Sequence, residues 1–264
     1  MTTRDTPWPE GTPAWVDITV PDRQRAMDFY GPVLGWDFQV GPPEAGFYTQ
    51  ASVEGRPVAA IGEPQPGEDA TPPAWLTYLA ADELEPVVER AQRAGGAVLA
   101  PPFDVLTFGR MAVLADPTGA VFALWQAGTH TGYRLANEPG SVTWNEALTR
   151  DVDAAKAFYA AVFGYALGDL SSAGARYATI DLDGRPVGGV GSLPDGAPDE
   201  APAHWLTYFL VTDADATVAA AQQLGGALAD GPQDTEFGRM AVLTGPFGER
   251  FAIMGQMEQA AEGP

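Results

Sequence analysis

The chain has no cysteine, a single lysine (Lys156) and only two histidines (His130 and His204) in 264 residues. Without cysteine there can be no disulfide, no thiolate metal site and no cysteine nucleophile. Two histidines this far apart make neither a metal site nor a catalytic triad, and no serine stands in a nucleophile-elbow context. No apolar run approaches the roughly 20 residues that a membrane span needs. The start, Met1-Thr2-Thr3-Arg4-Asp5-Thr6-Pro7, lacks the apolar centre of a signal peptide, so the expected location is the cytoplasm. Positive charge is scarce as well. Fourteen basic residues face thirty-five acidic ones, a formal net charge of −21. Such a surface repels phosphate backbones and anionic lipid, which argues against nucleic acid and membrane partners. The lone lysine beside thirteen arginines reads as codon bias rather than chemistry. Gly188-Gly189-Val190-Gly191 opens no helix and is matched by Ala59-Ala60-Ile61-Gly62, so it is not a phosphate cradle.

What the chain does have is a repeat. Phe108-Gly109-Arg110-Met111-Ala112-Val113-Leu114 returns as Phe237-Gly238-Arg239-Met240-Ala241-Val242-Leu243. Phe29-Tyr30 and Arg56-Pro57 recur in the same register as Phe158-Tyr159 and Arg185-Pro186. Trp75-Leu76-Thr77-Tyr78 recurs one position out of that register, as Trp205-Leu206-Thr207-Tyr208. A repeat of this length means two like domains, at 14–128 and 141–257, with a tail at 1–13, a linker at 129–140 and a second tail at 258–264. In each half the order of elements is legible. Ala14 to Val20 alternates like a strand, and Pro21-Asp22 opens a helix from Arg23 to Leu34, which Gly35 ends. Three shorter strands follow at Trp36–Val40, Phe47–Val53 and Arg56–Ile61. The acidic, proline-rich stretch from Glu63 to Pro73 reads as a solvated loop. A second cycle has a strand at Trp75–Ala80, a helix at Glu83–Ala94 and strands near Ala97–Leu99, Arg110–Leu114 and Ala120–Gln126. Each domain is then two βαβββ units and the chain has four. Spacing does not say whether units pair within halves or across them.

This pattern resembles the vicinal oxygen chelate superfamily, which includes glyoxalases, bleomycin-resistance proteins and extradiol dioxygenases. The likeness rests on Asp22…Phe29-Tyr30…Leu34-Gly35 and the turn Asp116-Pro117-Thr118-Gly119. The second copy repeats it as Asp153…Phe158-Tyr159…Phe163-Gly164 and Gly245-Pro246-Phe247-Gly248. More narrowly, the chain is similar to the tandem two-domain actinobacterial type that carries glyoxalase-like or hydroxylase labels. The resemblance implies an α+β fold in which four βαβββ units form two curled mixed-sheet cups, each cup a site. It also implies a divalent ion held from the first, fifth and eighth strands. Carried over, those positions are Trp15, Trp75 and Ala123 in one cup and Trp144, Trp205 and Ala252 in the other, and none of these side chains can coordinate a metal. A slip of one residue would present Val16, Asp17 or His204, which still do not make three ligands in one cup. The expectation is therefore no metal and no cofactor.

The strand period of two then proposes what fills the cups. Trp15, Asp17, Trp75, Thr77, Ala123 and Trp125 should face inward in the first, and Trp144, Glu146, Trp205, Thr207, Arg250, Ala252 and Met254 in the second. Such aromatic boxes suit a flat, largely apolar small molecule; equally, the tryptophans could simply be core. Asp17 and Glu146, set among indoles, are candidate general acids or bases, or structural hydrogen-bond acceptors. Arg110 and Arg239 are candidates to clamp a carboxylate or enolate oxygen, or to make structural ion pairs. Arg250, present only in the second copy, could make the cups unequal. His204, beside Trp205, is expected on the helix side or in solvent. Three readings follow: a metal-free binding protein of the resistance type, a metal-independent cyclase, isomerase or hydratase using Asp17 or Glu146, and a metal-dependent lyase or dioxygenase with shifted ligands. The expected partner is a small molecule, with the protein a monomer or homodimer.

Overall fold

The computed structural model describes residues 2–64, 71–172 and 175–256. The first half runs β1 (Thr2–Thr3), β2 (Pro13–Thr19), α1 (Arg23–Leu34), β3 (Asp37–Val40), β4 (Thr49–Val53), β5 (Arg56–Gly62), β6 (Trp75–Ala80), α2 (Leu84–Arg93), β7 (Ala97–Val105), β8 (Gly109–Ala115) and β9 (Val121–Ala127). After β10 (Leu135–Ala136) the second half repeats the order. It comprises β11 (Val142–Thr149), α3 (Val152–Phe163), β12 (Ala166–Asp169), β13 (Tyr177–Leu182), β14 (Arg185–Ser192), β15 (His204–Val211), α4 (Ala214–Gln223), β16 (Ala227–Thr235), β17 (Gly238–Thr244) and β18 (Arg250–Gly255). The chain is thus α+β with four βαβββ units. Part of the loop expected over 63–73 lies outside the described residues, as does the C-terminal tail expected over 258–264. Among the described residues no helix is long and apolar enough to cross a membrane.

Local chemistry sets the element ends. Asp22, Asp151 and Asp213 each accept a backbone N–H three residues on, capping α1, α3 and α4. Gly35 and Gly164 stop α1 and α3 in the left-handed conformation, where a Cβ is penalised. Each half builds one open eight-stranded mixed sheet, ordered β3-β4-β5-β2-β6-β9-β8-β7 and β12-β13-β14-β11-β15-β18-β17-β16. The central antiparallel contacts β2–β6 and β11–β15 join two units of the same half, so the pairing left open by the sequence is within halves.

The helical faces of the two sheets pack on each other. Helix α1 lies against α4, α2 against α3, and β6 against β15. This contact is close because two glycines admit a ring from the opposite half. A Cβ on Gly96 would lie 2.8 Å from the Phe158 ring, and one on Gly226 would lie 2.9 Å from the Phe29 ring. The interface core is aromatic: Trp75 stands 5.3 Å from both Tyr30 and Phe209, and Phe29, Trp36 and Phe251 join them. The two termini of the first half are tied down too, since β1 pairs with β10 of the linker.

Candidate functional site

Strand pairing fixes which side chains face each cup. Asp17 stands opposite Leu76 and Trp15 opposite Tyr78. Tyr78 lies beside Ala123, and Ala80 beside Trp125, on parallel β9. Residues directly opposite in a ladder share a face. The first cup is therefore lined by Trp15, Asp17, Leu76, Tyr78, Ala123 and Trp125, with Met111 opposite Trp125. By the same pairing the second cup presents Trp144, Glu146, Leu206, Tyr208, Ala252, Met254 and Met240.

At the centre of each cup one carboxylate accepts two phenol hydrogen bonds. Asp17 Oδ2 accepts from Tyr48 and Tyr78, both at 2.8 Å. Tyr48 in turn accepts the Trp15 indole N–H at 2.9 Å. The second cup repeats the node. Glu146 accepts from Tyr177 at 2.8 Å and from Tyr208 at 2.7 Å, and Trp144 donates to Tyr177 at 2.8 Å. Removal from water pushes the Asp17 carboxyl up to about 6, the two phenols opposing that rise only in part. Glu146 is raised by the same cause, again against two phenol hydrogen bonds. Both tyrosines of each node are pushed above the ordinary phenol value by burial and by the adjacent carboxylate. The Asp17 node can thus accept or return a proton a little below neutral pH, and each node can exchange hydrogen bonds with a polar group.

Several predicted site residues lie elsewhere. Trp75, Thr77, Trp205 and Thr207 sit on the opposite face of their strands, between the halves. Trp75 donates to Tyr30 at 3.2 Å and Trp205 to Tyr159 at 2.8 Å. Thr77 and Thr207 both donate to Asn145 Oδ1, at 3.3 and 3.0 Å. Strands β6 and β15 are buried on both faces, so neither shows the polar alternation that would fix its phase. Arg110 and Arg239 also point away from the cups, because Met111 and Met240 take the inward positions. Arg110 pairs with Glu85 and Asp104, and Arg239 with Asp215 and Asp234. His204, expected outside, is opposite Leu148 and shares the cup face with Leu206 and Tyr208. Tyr48, Tyr78, Tyr177 and Tyr208 lie outside the residues that the strand period singles out, although each pair obeys the repeat register.

The cups are unequally filled. In the first, the linker returns over Trp15. The His130 ring stands 4.4 Å from Trp15 and 5.5 Å from Trp125, whose indole N–H donates to the His130 carbonyl at 2.9 Å. Tyr133 adds a ring 5.7 Å from Trp15. Trp15 is left 2% exposed. Among the described residues the buried His130 Nε2 has no hydrogen-bond partner, and burial pulls its imidazole down to about 4. In the second cup Met254 replaces Trp125, Trp144 and Tyr177 remain half-buried, and no ring among the described residues packs on Trp144.

Neither cup fits the divalent ion implied by the resemblance. Each offers one buried carboxylate, already committed to two phenols, with alanine at the eighth-strand position; the second adds only the exposed Asp230, whose pairing with Val242 places it on the same face. Among the described residues no three His, Asp or Glu side chains converge.

The comparisons agree with this architecture. A model of the Glyoxalase/Bleomycin resistance protein/Dioxygenase superfamily matches residues 12–124 and again 141–253. "Putative glyoxylase CFP32" of Mycobacterium tuberculosis is 41% identical over 251 residues, covering 93% of this chain and 95% of its own. "Anthracycline biosynthesis protein DnrV" of Streptomyces peucetius is 39% identical over 257 residues, covering 92% and 93%. Among solved structures, the Mn(II)-bound glyoxalase from Novosphingobium aromaticivorans superposes with a TM-score of 0.65 at 16% identity, covering 95% of this chain and 84% of its own. The 2,2',3-trihydroxybiphenyl 1,2-dioxygenase of Sphingomonas wittichii gives 0.65 at 13% identity, covering 96% and 94%, a likeness of fold. Two matched domains, two relatives spanning nearly the full length and the βαβββ architecture together place the chain in the glyoxalase/bleomycin resistance protein/dioxygenase superfamily.

Proposed function

We propose that the protein binds a small, flat, largely apolar organic molecule in its second cup, without a metal ion. One observation carries this reading: the carboxylate–phenol–indole node occurs in both cups, but only in the first does the chain's own linker lie over it. His130 and Trp125 occupy the place where a ligand would meet Trp15, whereas Trp144 and Tyr177 keep exposed surface. Ring stacking on Trp144 supplies apolar contact, and the Glu146–Tyr177–Tyr208 node anchors a polar substituent and so fixes orientation. Alanines at 123 and 252 stand where the family's metal chemistry needs a carboxylate, which favours binding without an ion. The name of the Streptomyces relative, an anthracycline biosynthesis protein, supports a planar aromatic ligand from natural-product metabolism.

Native mass spectrometry of the full chain, drawn gently from its host lysate, tests this directly. The expected result is one organic mass per chain and no divalent ion, with that mass lost in Trp144→Ala. A stoichiometric divalent ion would overturn the reading. A second reading rests on the raised carboxyl of Glu146 beside two phenols: metal-independent acid–base catalysis on the bound molecule, of the cyclase, isomerase or hydratase type. It expects Glu146→Gln to keep binding and lose turnover, and unchanged turnover would refute it.

A further inference from the structure

The two cups differ in charge as well as in filling. On β18 Phe251 and Ile253 are buried in the core between the halves. Alternation therefore turns Arg250, Ala252 and Met254 to the cup. Tyr208 pairs with Ala252 across the parallel β15–β18 ladder. Two residues back along both strands, that pairing brings Arg250 level with Leu206, which is itself opposite Glu146. The Glu146 carboxylate and the Arg250 guanidinium thus belong to one cross-strand row, two strand spacings or about 10 Å apart at the backbone. His204 stands one step further along the same face, with Nδ1 3.0 Å from the Pro202 carbonyl. The corresponding residues of the first half are Val121 and Ala74, so the cation is a property of the second cup alone.

Arg250 is exposed, and among the described residues it has neither an ion pair nor a hydrogen bond. Among the described residues Arg185 and Lys156 are also without either, but most arginines of this chain are paired. Thirty-five acids compete for fourteen bases, and Arg23, Arg90, Arg110, Arg134, Arg176 and Arg239 each hold at least one. A guanidinium presents a planar fork that matches an oxyanion bidentately. Held on the rim of an aromatic cup without a carboxylate of its own, it is preset for one brought by a ligand. The far end of the same row offers the opposite chemistry, a carboxylate and two phenols suited to a hydroxyl.

We infer that the second cup selects an aromatic anion: a planar ring system with a carboxylate or acidic enol at one end, bound by Arg250, and a hydroxyl at the other, bound at Glu146, Tyr177 and Tyr208. The inference rests on the proposed reading of that cup and adds the charge class of its ligand. A span of about 10 Å between strands suits two or three fused rings with oxygens at opposite ends.

The test uses two probes of equal shape, 6-hydroxy-2-naphthoate and the neutral 6-hydroxy-2-naphthalenemethanol. Each is titrated into the full chain at pH 7.5, with tryptophan fluorescence as the readout. The expected result is a preference for the naphthoate of about tenfold, the size of a charge-assisted hydrogen bond at a partly wet rim. Arg250→Gln should erase that preference. Arg250→Lys should restore part of it, and added salt should shrink it. No preference in the unaltered protein, or a preference that survives Arg250→Gln, would overturn the anion assignment while leaving the cup reading in place. If neither probe binds, or if Trp144→Ala leaves binding unchanged, the cup reading itself fails and the assignment with it.

Discussion

Asp17 should make the protein less stable at neutral pH than at mildly acid pH, and Asp17→Asn should remove that loss. Desolvation raises the Asp17 carboxyl from the ordinary value of 3.8 to about 6 in the folded protein. The unfolded chain keeps the ordinary value, so between these two limits the folded state binds more protons. The sign follows from linkage. The carboxyl favours folding most below pH 3.8, and that contribution disappears as the pH rises through 6. Two pH units at about 1.4 kcal/mol each give a penalty of roughly 3 kcal/mol at pH 7 relative to pH 4. For a chain of this size that corresponds to roughly 6 °C in thermal midpoint. Asparagine cannot ionise and still offers Tyr48 and Tyr78 an amide oxygen. The assay is thermal and urea unfolding of the native protein and Asp17→Asn across pH 4 to 8, taking the difference at each pH so that the other carboxylates cancel. The variant should gain on the native protein between pH 4 and 6.5 and then level off. A difference that is flat with pH, or that runs the other way, would refute the raised carboxyl.

Two further outcomes follow from the packing. Gly245→Ala should destabilise strongly, by about 1–3 kcal/mol for the buried hydrogen bonds it disrupts. Its Cβ would stand 2.1 Å from Glu249 Oε1, and chemical denaturation would show the loss, whereas an unchanged midpoint would contradict this packing. Arg110→Ala and Arg239→Ala should leave ligand and probe binding unaltered in fluorescence titrations, since both side chains face their helices and exposed ion pairs hold little energy. A tenfold loss of affinity in either would show that the arginine reaches the cup.

Much of the fold could be read from the sequence because its signals are local and occur twice. The helix expected at Arg23–Leu34 and the strand at Trp75–Ala80 have those bounds in the structure. The strand expected near Ala97–Leu99 runs on to Val105, through Pro101 and Pro102. They are accommodated on edge strand β7, where the ladder slips register between Ala100 and Phe103. The site was only half legible. Trp15, Asp17, Trp144, Glu146, Arg250 and Met254 take the inward positions that alternation gives them. The phase failed on β6 and β15, where Trp-Leu-Thr-Tyr is apolar on both sides and the face is decided by pairing with β2 and β11. The tyrosines that complete each node come from strands about thirty and sixty residues further along, a distance that spacing within one strand cannot bridge. The role of the linker depends on a single loop dropping His130 onto Trp15, which composition does not encode.

The halves have diverged in a way that shows what the interface between them requires. In the first half, Asp116 opens the turn before β9 and is 3% exposed; burial, and after it the charge of Asp116, raises the Tyr159 phenol, which accepts from Trp205. The same position in the second half is Gly245, which has no side chain. The carboxylate comes instead from Glu249, four residues on, which accepts from Tyr30 at 2.7 Å while Tyr30 accepts from Trp75. Glu249 enters the space that Gly245 leaves, and that is why a Cβ at 245 would collide with it. Each half thus sets a carboxylate from its turn beside a tyrosine–tryptophan pair of the other half, hydrogen-bonded to the tyrosine at Glu249 and near it in charge at Asp116, whose Oδ1 is instead held by Thr118 and the Ala120 N–H. The double change Gly245→Asp with Glu249→Ala should therefore restore much of the stability that Gly245→Ala loses, by rebuilding the arrangement of the first half. Non-additive recovery in a double-mutant cycle would show that the two positions share one carboxylate site. Additive losses would show that they do not. The cups, by contrast, have drifted apart at their rims, with His130 and Trp125 on one side and His204 and Arg250 on the other. An interface conserved in chemistry beside rims that are not is the pattern expected when the scaffold is held in common and one cup has taken over the binding.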